Sequence, residues 1–383
     1  MKKRKCSILI APNAFKHSLS ATQVAKAIGK GIQMSKLEAS LHYFPIGDGG
    51  DGTIDLIIDH LGAKRKSKEV TGPLGKPIQA EYGIAADGKT AFIELANASG
   101  IKLIEPEDRD PLRANTYGTG ELMLNALDEG VEQLIIGMGG SATVDGGCGI
   151  LAALGARFYD QSGNVLSAYP EQLMHVAKVD FDGLDARLHR ITIVILCDVV
   201  NQLLGDSGAA AIFGPQKGAS SEDVQQLDRF LNQFSKALKR VTGKDMSHVI
   251  SGGAAGGAAG GLYAALNARL EHGIDYFMKL TGFEQALMDT DVLITGEGSL
   301  DSQTLEGKGP YGVARKAKEK EIPVIGIAGK VPLVSNAAID EVFDVLLAIG
   351  NEPMSLVQAL EVSRENLIRI GKAIGNLLHR KPS

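Results

Sequence analysis

The chain has 383 residues, 44% hydrophobic and 22% charged, with a formal net charge of −5. At roughly 150 residues per domain that length suggests two or three domains, ample to bury a core without disulfide or metal staples. A slightly acidic chain gives no reason to expect nucleic acid or an anionic membrane as a partner.

In chain order, the basic start Met1–Lys5 is followed by an apolar stretch, Cys6–Ala11, too short for a signal-peptide core. No apolar run nears the ~18 residues of a membrane span. Ser7–Ala11 reads as a strand, and Ser20-x-x-Gln23 is a capping box opening a helix to about Lys36. Ile54, Ile57, Ile58 and Leu61 share one helical face. Ala91–Leu95, Gln133–Ile136 and Ile191–Leu196 are continuous apolar runs of the kind that form buried parallel strands. The stretch from about 155 to 190 has no clear period. Val224, Leu227, Leu231, Phe234, Leu238 and Val241 mark another helix. Ser251–Gly261 (SGGAAGGAAGG) is either a flexible linker or a packed turn whose small residues admit close approach. Asp291–Thr295, Val324–Ala328 and Val345–Ile349 complete the strand-like runs. Strands alternating with helices give an α/β protein with mainly parallel sheets. With one such run at the start and three near the end, we expect a discontinuous domain, 1–70 plus 287–383, and an inserted domain, 71–286. The three cysteines, Cys6, Cys148 and Cys197, have neither disulfide nor zinc spacing, which fits a reducing cytoplasm.

Glycine is in excess, 47 of 383 residues, about 12% against a usual ~7%. The excess sits beside acids and hydroxyls at strand ends: Gly47–Thr53, Gly137–Gly147, Asp198 with Asn201, Gly214–Gly218, and Gly296–Asp301. Glycine lets backbone approach a ligand, and ligands of open α/β sheets sit beyond the carboxyl ends of strands. Carboxylates within an anion-binding loop need a bridging cation, commonly Mg²⁺. Together these loops point to a Mg–nucleotide site, although there is no P-loop pattern. Gly137-x-Gly139-x-x-Ala142 with Asp160 about 20 residues on also fits a dinucleotide fingerprint, but Thr143–Gly147 interrupts the helix that should follow. Lys16, Lys217 and, more weakly, Lys308 are loop lysines that could clamp a carboxylate or phosphate.

Ala11–Lys16 with Ser18–Ala21, Asp48–Thr53, Gly139–Thr143 with Asp145–Gly147, Cys197–Val199 with Asn201, Phe213–Ala219, and Ile294–Gly298 with Asp301, Gln303 and Thr304 resemble, in order, the motifs of the bacterial type 1 glycerate kinases. The resemblance implies two α/β domains with an active-site cleft between them. It also implies phosphorylation of D-glycerate by ATP with Mg²⁺, usually to 2-phosphoglycerate. The matched positions are implied as a set, and side-chain chemistry suggests the individual roles. Asp198 would take the proton of the glycerate hydroxyl, with Asp301 as the alternative base. Lys16 would hold the glycerate carboxylate or the moving phosphoryl group, and Asn201 and Lys217 would bind substrate. Gly139, Gly140, Ser141 and Thr143 would cradle the ATP phosphates, and Asp48, Asp145 and Glu297 would hold Mg²⁺ or its waters. The chain departs from the family where Asn13-Ala14 replaces Asp-Ser, His17 replaces Gly and Asp51 replaces Glu. Other readings are an NAD-dependent 2-hydroxy-acid oxidoreductase and a two-lobed binder of small acids. No nucleic-acid or membrane partner is expected, a homodimer stays open, and so does the choice between the 2- and 3-phosphate.

Overall fold

The computed structural model describes residues 5–300, 309–334 and 337–379. Each of the seven apolar runs forms a strand. In chain order the strands are β1 (Cys6–Ile10), β2 (Ala39–Tyr43), β3 (Lys64–Thr71), β4 (Pro77–Ile84), β5 (Thr90–Glu94), β6 (Gln133–Gly137), β7 (Arg157–Tyr159), β8 (Val165–Leu166), β9 (Lys178–Asp180), β10 (Thr192–Cys197), β11 (Arg269–His272), β12 (Val292–Ser299), β13 (Val324–Lys330) and β14 (Val345–Ala348). The protein is α/β, and its two large sheets are mainly parallel. The chain forms two compact units, Met1–Asp48 with Ile274–Ser383, and Gly49–Gly273.

In the smaller unit the sheet runs β14-β13-β12-β1-β2, all parallel. The strand order reverses between β1 and β12, and an open sheet offers a ligand crevice at the carboxyl ends flanking such a reversal. Helix Ala21–Gln33 starts at the expected capping box, since both reciprocal bonds of Ser20 and Gln23 are present. It crosses helix Ser363–His379 at van der Waals contact. A Cβ on Gly371 would lie 2.3 Å from the Ile28 carbonyl oxygen, and one on Gly31 would lie 2.1 Å from that of Ile368.

In the larger unit the sheet runs β11-β10-β6-β5-β4-β3, parallel from β11 to β5, with β4 and β3 antiparallel. The aperiodic stretch from 155 to 190 holds a small antiparallel sheet, β8-β7-β9. Two sequence-based boundaries move. Helix Thr53–Leu61 belongs with the larger unit, because Ile54 N–H donates to buried Glu94 at 3.0 Å. The segment after residue 273 belongs with the smaller one, where Phe277 and Phe283 meet Phe44 edge-on at 6.5 and 5.3 Å. The divisions therefore fall at 48/49 and 273/274 rather than 70/71 and 286/287.

Candidate active site

The register of the larger sheet brings the ends of three strands level, with Glu94 opposite Gly137 and Gly137 opposite Leu196. The loops that leave them gather side by side. The turn after β6 presses Gly139 onto the Gly50–Asp51 backbone, where a Cβ would lie 1.9 Å from Asp51 N. Only glycine permits that approach. Gly49 in turn lies against the end of β10, where a Cβ would stand 2.8 Å from the Cys197 carbonyl carbon and 3.1 Å from Asp198 N. Asp198, at that strand end, is partly exposed. Burial pushes the neighbouring Cys197 thiol up to about 12, as suits an inert core residue.

The Ser251–Gly261 tract is a packed turn. Gly146 N–H donates to the Gly256 carbonyl at 3.0 Å, and Gly253 N–H donates to the Asn201 carbonyl at 2.9 Å. A Cβ on Gly256 would lie 2.0 Å from the Thr143 carbonyl oxygen. The tract thus braces both the turn after β6 and the loop after β10. Asn201 lies in that braced loop and donates from Nδ2 to the Ser207 carbonyl at 2.9 Å.

Lys217, expected as a loop lysine that clamps a carboxylate or phosphate, is turned into the protein. It is buried, and its Nζ lies 2.7 Å from both Ser141 Oγ and the Thr143 carbonyl oxygen. Burial lowers its pKa to about 7, against the opposing pull of the Asp145 charge. Asp145, expected beside Mg²⁺, is engaged mainly by the protein itself. Its Oδ2 accepts from Thr116 N–H at 2.9 Å, Thr116 Oγ1 at 2.7 Å and Gly149 N–H at 3.1 Å, while Oδ1 accepts from Gly147 N–H at 3.1 Å. A fully buried carboxylate that accepts from four protein donors, three on Oδ2 and one on Oδ1, anchors the start of helix Cys148–Ala153. Burial raises its pKa while those donors pull it back.

The sequence reading missed two acid-centred features. Glu94, fully buried, caps helix Thr53–Leu61 and has a carboxyl pushed well up by burial. Its Oε1 has no hydrogen-bond partner among the described residues. Asp51 pairs with Lys102, and both line a recess of about 430 Å³ that also includes Gly140, Ala96 and Asn97. The one available signal for Glu94 was an acid ending an apolar strand.

In the smaller unit, the chain after β1 continues along β12. Asn13 N–H donates to the Gly296 carbonyl at 2.8 Å, and Thr295 Oγ1 donates to the Ala11 carbonyl at 2.7 Å. Asn13 Oδ1 accepts from Ala14 N–H, and its Nδ2 donates to Asp48 Oδ2, both at 2.8 Å. Asp48 and Glu297 are both buried carboxylates. Lys16 and His17 occupy the exposed tip of a tight turn closed by Phe15 and Leu19. His17 is left-handed there, with φ 65°. Among the described residues no group of three or more His, Cys, Asp or Glu converges as a metal site. Asp301 and Lys308 lie outside the described residues.

The dinucleotide reading loses its supports. No helix opens at Ala142; the next one starts at Cys148. Asp160 sits in the β7–β8 turn, bonded to Ser162 N–H at 2.8 Å and Asn164 N–H at 2.9 Å.

A parallel α/β sheet whose strand ends carry glycine turns, hydroxyls and a buried lysine has the chemistry to hold phosphate groups. The Glycerate kinase family pattern matches residues 8–379, and the chain belongs to that family of phosphotransferases. It is 44% identical over 375 residues to the glycerate 2-kinase of Escherichia coli K12, covering 97% of each chain. It is 42% identical to the glycerate kinase of Bacillus subtilis 168, covering 96% of each. A crystal structure assigned as glycerate kinase 2 of Salmonella typhimurium LT2 superimposes with a TM-score of 0.83 at 41% identity, covering 98% of this chain and 99% of that one.

Proposed function

We propose that this protein transfers the γ-phosphoryl group of ATP to D-glycerate, giving 2-phosphoglycerate. The observation that carries the reading is the Gly139–Thr143 turn, braced by Gly50–Asp51, Lys217 and the Gly256 segment, in a unit whose Asp198 loop is braced by the same segment. Phosphoryl transfer asks a protein mainly for positioning and for neutralisation of charge. Backbone N–H groups and the Ser141 hydroxyl of a rigid turn would hold nucleotide phosphates without reorganising as charge develops. Asp198 would accept the proton of the attacking hydroxyl, with Asp301 the alternative base. Lys16, exposed on its turn, would meet the glycerate carboxylate or the phosphoryl group, and Asn201 would contact the substrate.

Mg²⁺ commonly takes one or two carboxylates plus phosphate and water oxygens. Asp48 and Glu297, both buried, have that chemistry and would hold it. When bound it would offset phosphate charge. No helix among the described residues is long and apolar enough to cross a membrane. Three free cysteines fit a reducing compartment such as the cytoplasm.

The test is ATP consumption with Mg²⁺ and D-glycerate, with L-glycerate and tartronate as comparison acceptors and phosphorus NMR to assign the product. Turnover selective for D-glycerate supports the reading, and no ATP use by folded protein with any acceptor overturns it. Asp198→Asn should lower kcat far more than it raises KM for ATP, and near-normal turnover would remove Asp198 as the base.

A further inference from the structure

Lys217 is the buried cation of the larger unit's glycine-rich turn, and its contacts fix what Ser141 can do. The Thr143 carbonyl can only accept, so one N–H of Lys217 is committed to it at 2.7 Å. The other bond, 2.7 Å to Ser141 Oγ, joins two groups that are each more than nine-tenths buried. An anion in the turn favours the ammonium form, which has donors and no acceptor. Ser141 Oγ must then accept, and its own proton is left for an outside oxygen. Thr143 gives a second, independent sign of a ligand. Its Oγ1 is fully buried and has no hydrogen-bond partner among the described residues, whereas buried hydroxyls are normally satisfied. Asp145, held by Thr116, and Arg109, whose Nη1 donates to the Gln216 carbonyl at 3.3 Å, are the charged groups bearing on this segment.

We propose that Lys217 is a positioning residue for phosphoryl transfer, clamping Ser141 and Thr143 so that the Ser141 hydroxyl donates to a phosphate oxygen of the nucleotide. This rests on the kinase reading above and assigns Lys217 to the turn rather than to glycerate.

The test is a double-mutant cycle on kcat and on ATP affinity, using Lys217→Met, Ser141→Ala and the double variant, with folding followed by thermal melting. Loss of one preorganised donor lowers kcat by roughly 10²–10³-fold. Residues acting as one unit are non-additive, so the double variant should fall no further than Ser141→Ala alone. Lys217→Arg, which keeps charge and donors, should recover part of the loss and keeps the cycle readable if the Met variant does not fold. KM for D-glycerate should stay within about threefold throughout, whereas a lysine on the substrate carboxylate would raise it strongly. Multiplying effects, a Lys217→Met enzyme with wild-type kcat, or a loss confined to the KM for glycerate overturns the clamp while leaving the kinase reading intact. If the wild type binds ATP but does not phosphorylate glycerate, the kinase reading falls, and the cycle on ATP affinity still decides the clamp. A wild type that binds no ATP overturns both.

Discussion

Replacing Gly139 by Ala tests the contact on which the candidate site is built. The backbone there is not left-handed, so alanine meets no conformational penalty and the perturbation is one of space alone. Its Cβ would start 1.9 Å from Asp51 N and 2.1 Å from Gly50 C, where real Cβ contacts stay above 3.0 Å. One turn must therefore retreat by about 1.1 Å, and over-packing of this kind costs roughly 1–3 kcal/mol. For a unit of this size, Gly49–Gly273, that lowers Tm by about 2–12 °C. A ~1 Å misplacement in a catalytic constellation costs about 10²-fold in rate, so turnover should suffer far more than stability. Calorimetry and steady-state kinetics on the variant read both numbers. Gly130→Ala is the control: it carries a φ of 81° with nothing within 4 Å, so it should lose about 1 kcal/mol and no activity. Wild-type Tm and wild-type turnover in Gly139→Ala would refute the idea that the two turns support each other.

Gly371→Ala should reverse the usual sign of a glycine replacement in a helix. The change normally stabilises by about 1 kcal/mol, but here the Cβ would lie 2.3 Å from the Ile28 carbonyl oxygen, so urea unfolding should show a loss of roughly 1–3 kcal/mol. His17→Gly should stabilise the protein by about 0.5–1 kcal/mol by relieving a left-handed φ of 65°, and a lower melting temperature would contradict this. Lys217 predicts a pH dependence. Its folded pKa of about 7 lies below the ordinary lysine value of 10.5. Between those values the unfolded chain binds a proton that the folded one does not, so stability rises with pH. Denaturant unfolding from pH 7 to 10 should show wild type gaining up to about 4 kcal/mol relative to Lys217→Met; parallel curves would contradict the burial.

Much of the fold is legible from local pattern. The seven apolar strands, the Ser20–Gln23 capping box and the helix bearing Leu227, Leu231, Phe234 and Leu238 follow from periodicity and caps. β3, Lys-Arg-Lys-Ser-Lys-Glu-Val-Thr, did not, because an edge strand defended by charge looks like a solvated loop. For the site, the glycine clusters were legible and the partners that give them meaning were not. Lys217 lies 76 residues from Ser141, and nothing local marks it as buried. Asp145 reads as a metal ligand from residue type, which alone cannot reveal that four N–H and O–H donors converge on it. The Ser251–Gly261 tract has a linker's composition, and only Thr143, Gly146 and Asn201 turn it into a brace. His17 was visible as an oddity, whereas its left-handed backbone required the turn to be seen.

The position of β1 inside its sheet, between β2 and β12, carries a consequence for how a newly made chain matures. β1 and β2 pair early, but the other edge of β1 waits for β12, since Ile8 partners Val292. That register spans 284 residues, like the bond from Ser7 N–H to Asp291, and at about 5–20 residues per second translation takes roughly 15–60 s to supply it. Throughout that interval Gly49–Gly273 can complete its own core, while the second edge of β1 and the face of helix Ala21–Gln33 that meets helix Ser363–His379 stay uncovered. The smaller unit is therefore the last to close on the ribosome, and the second edge of its first strand is left open as a pairing edge until β12 emerges.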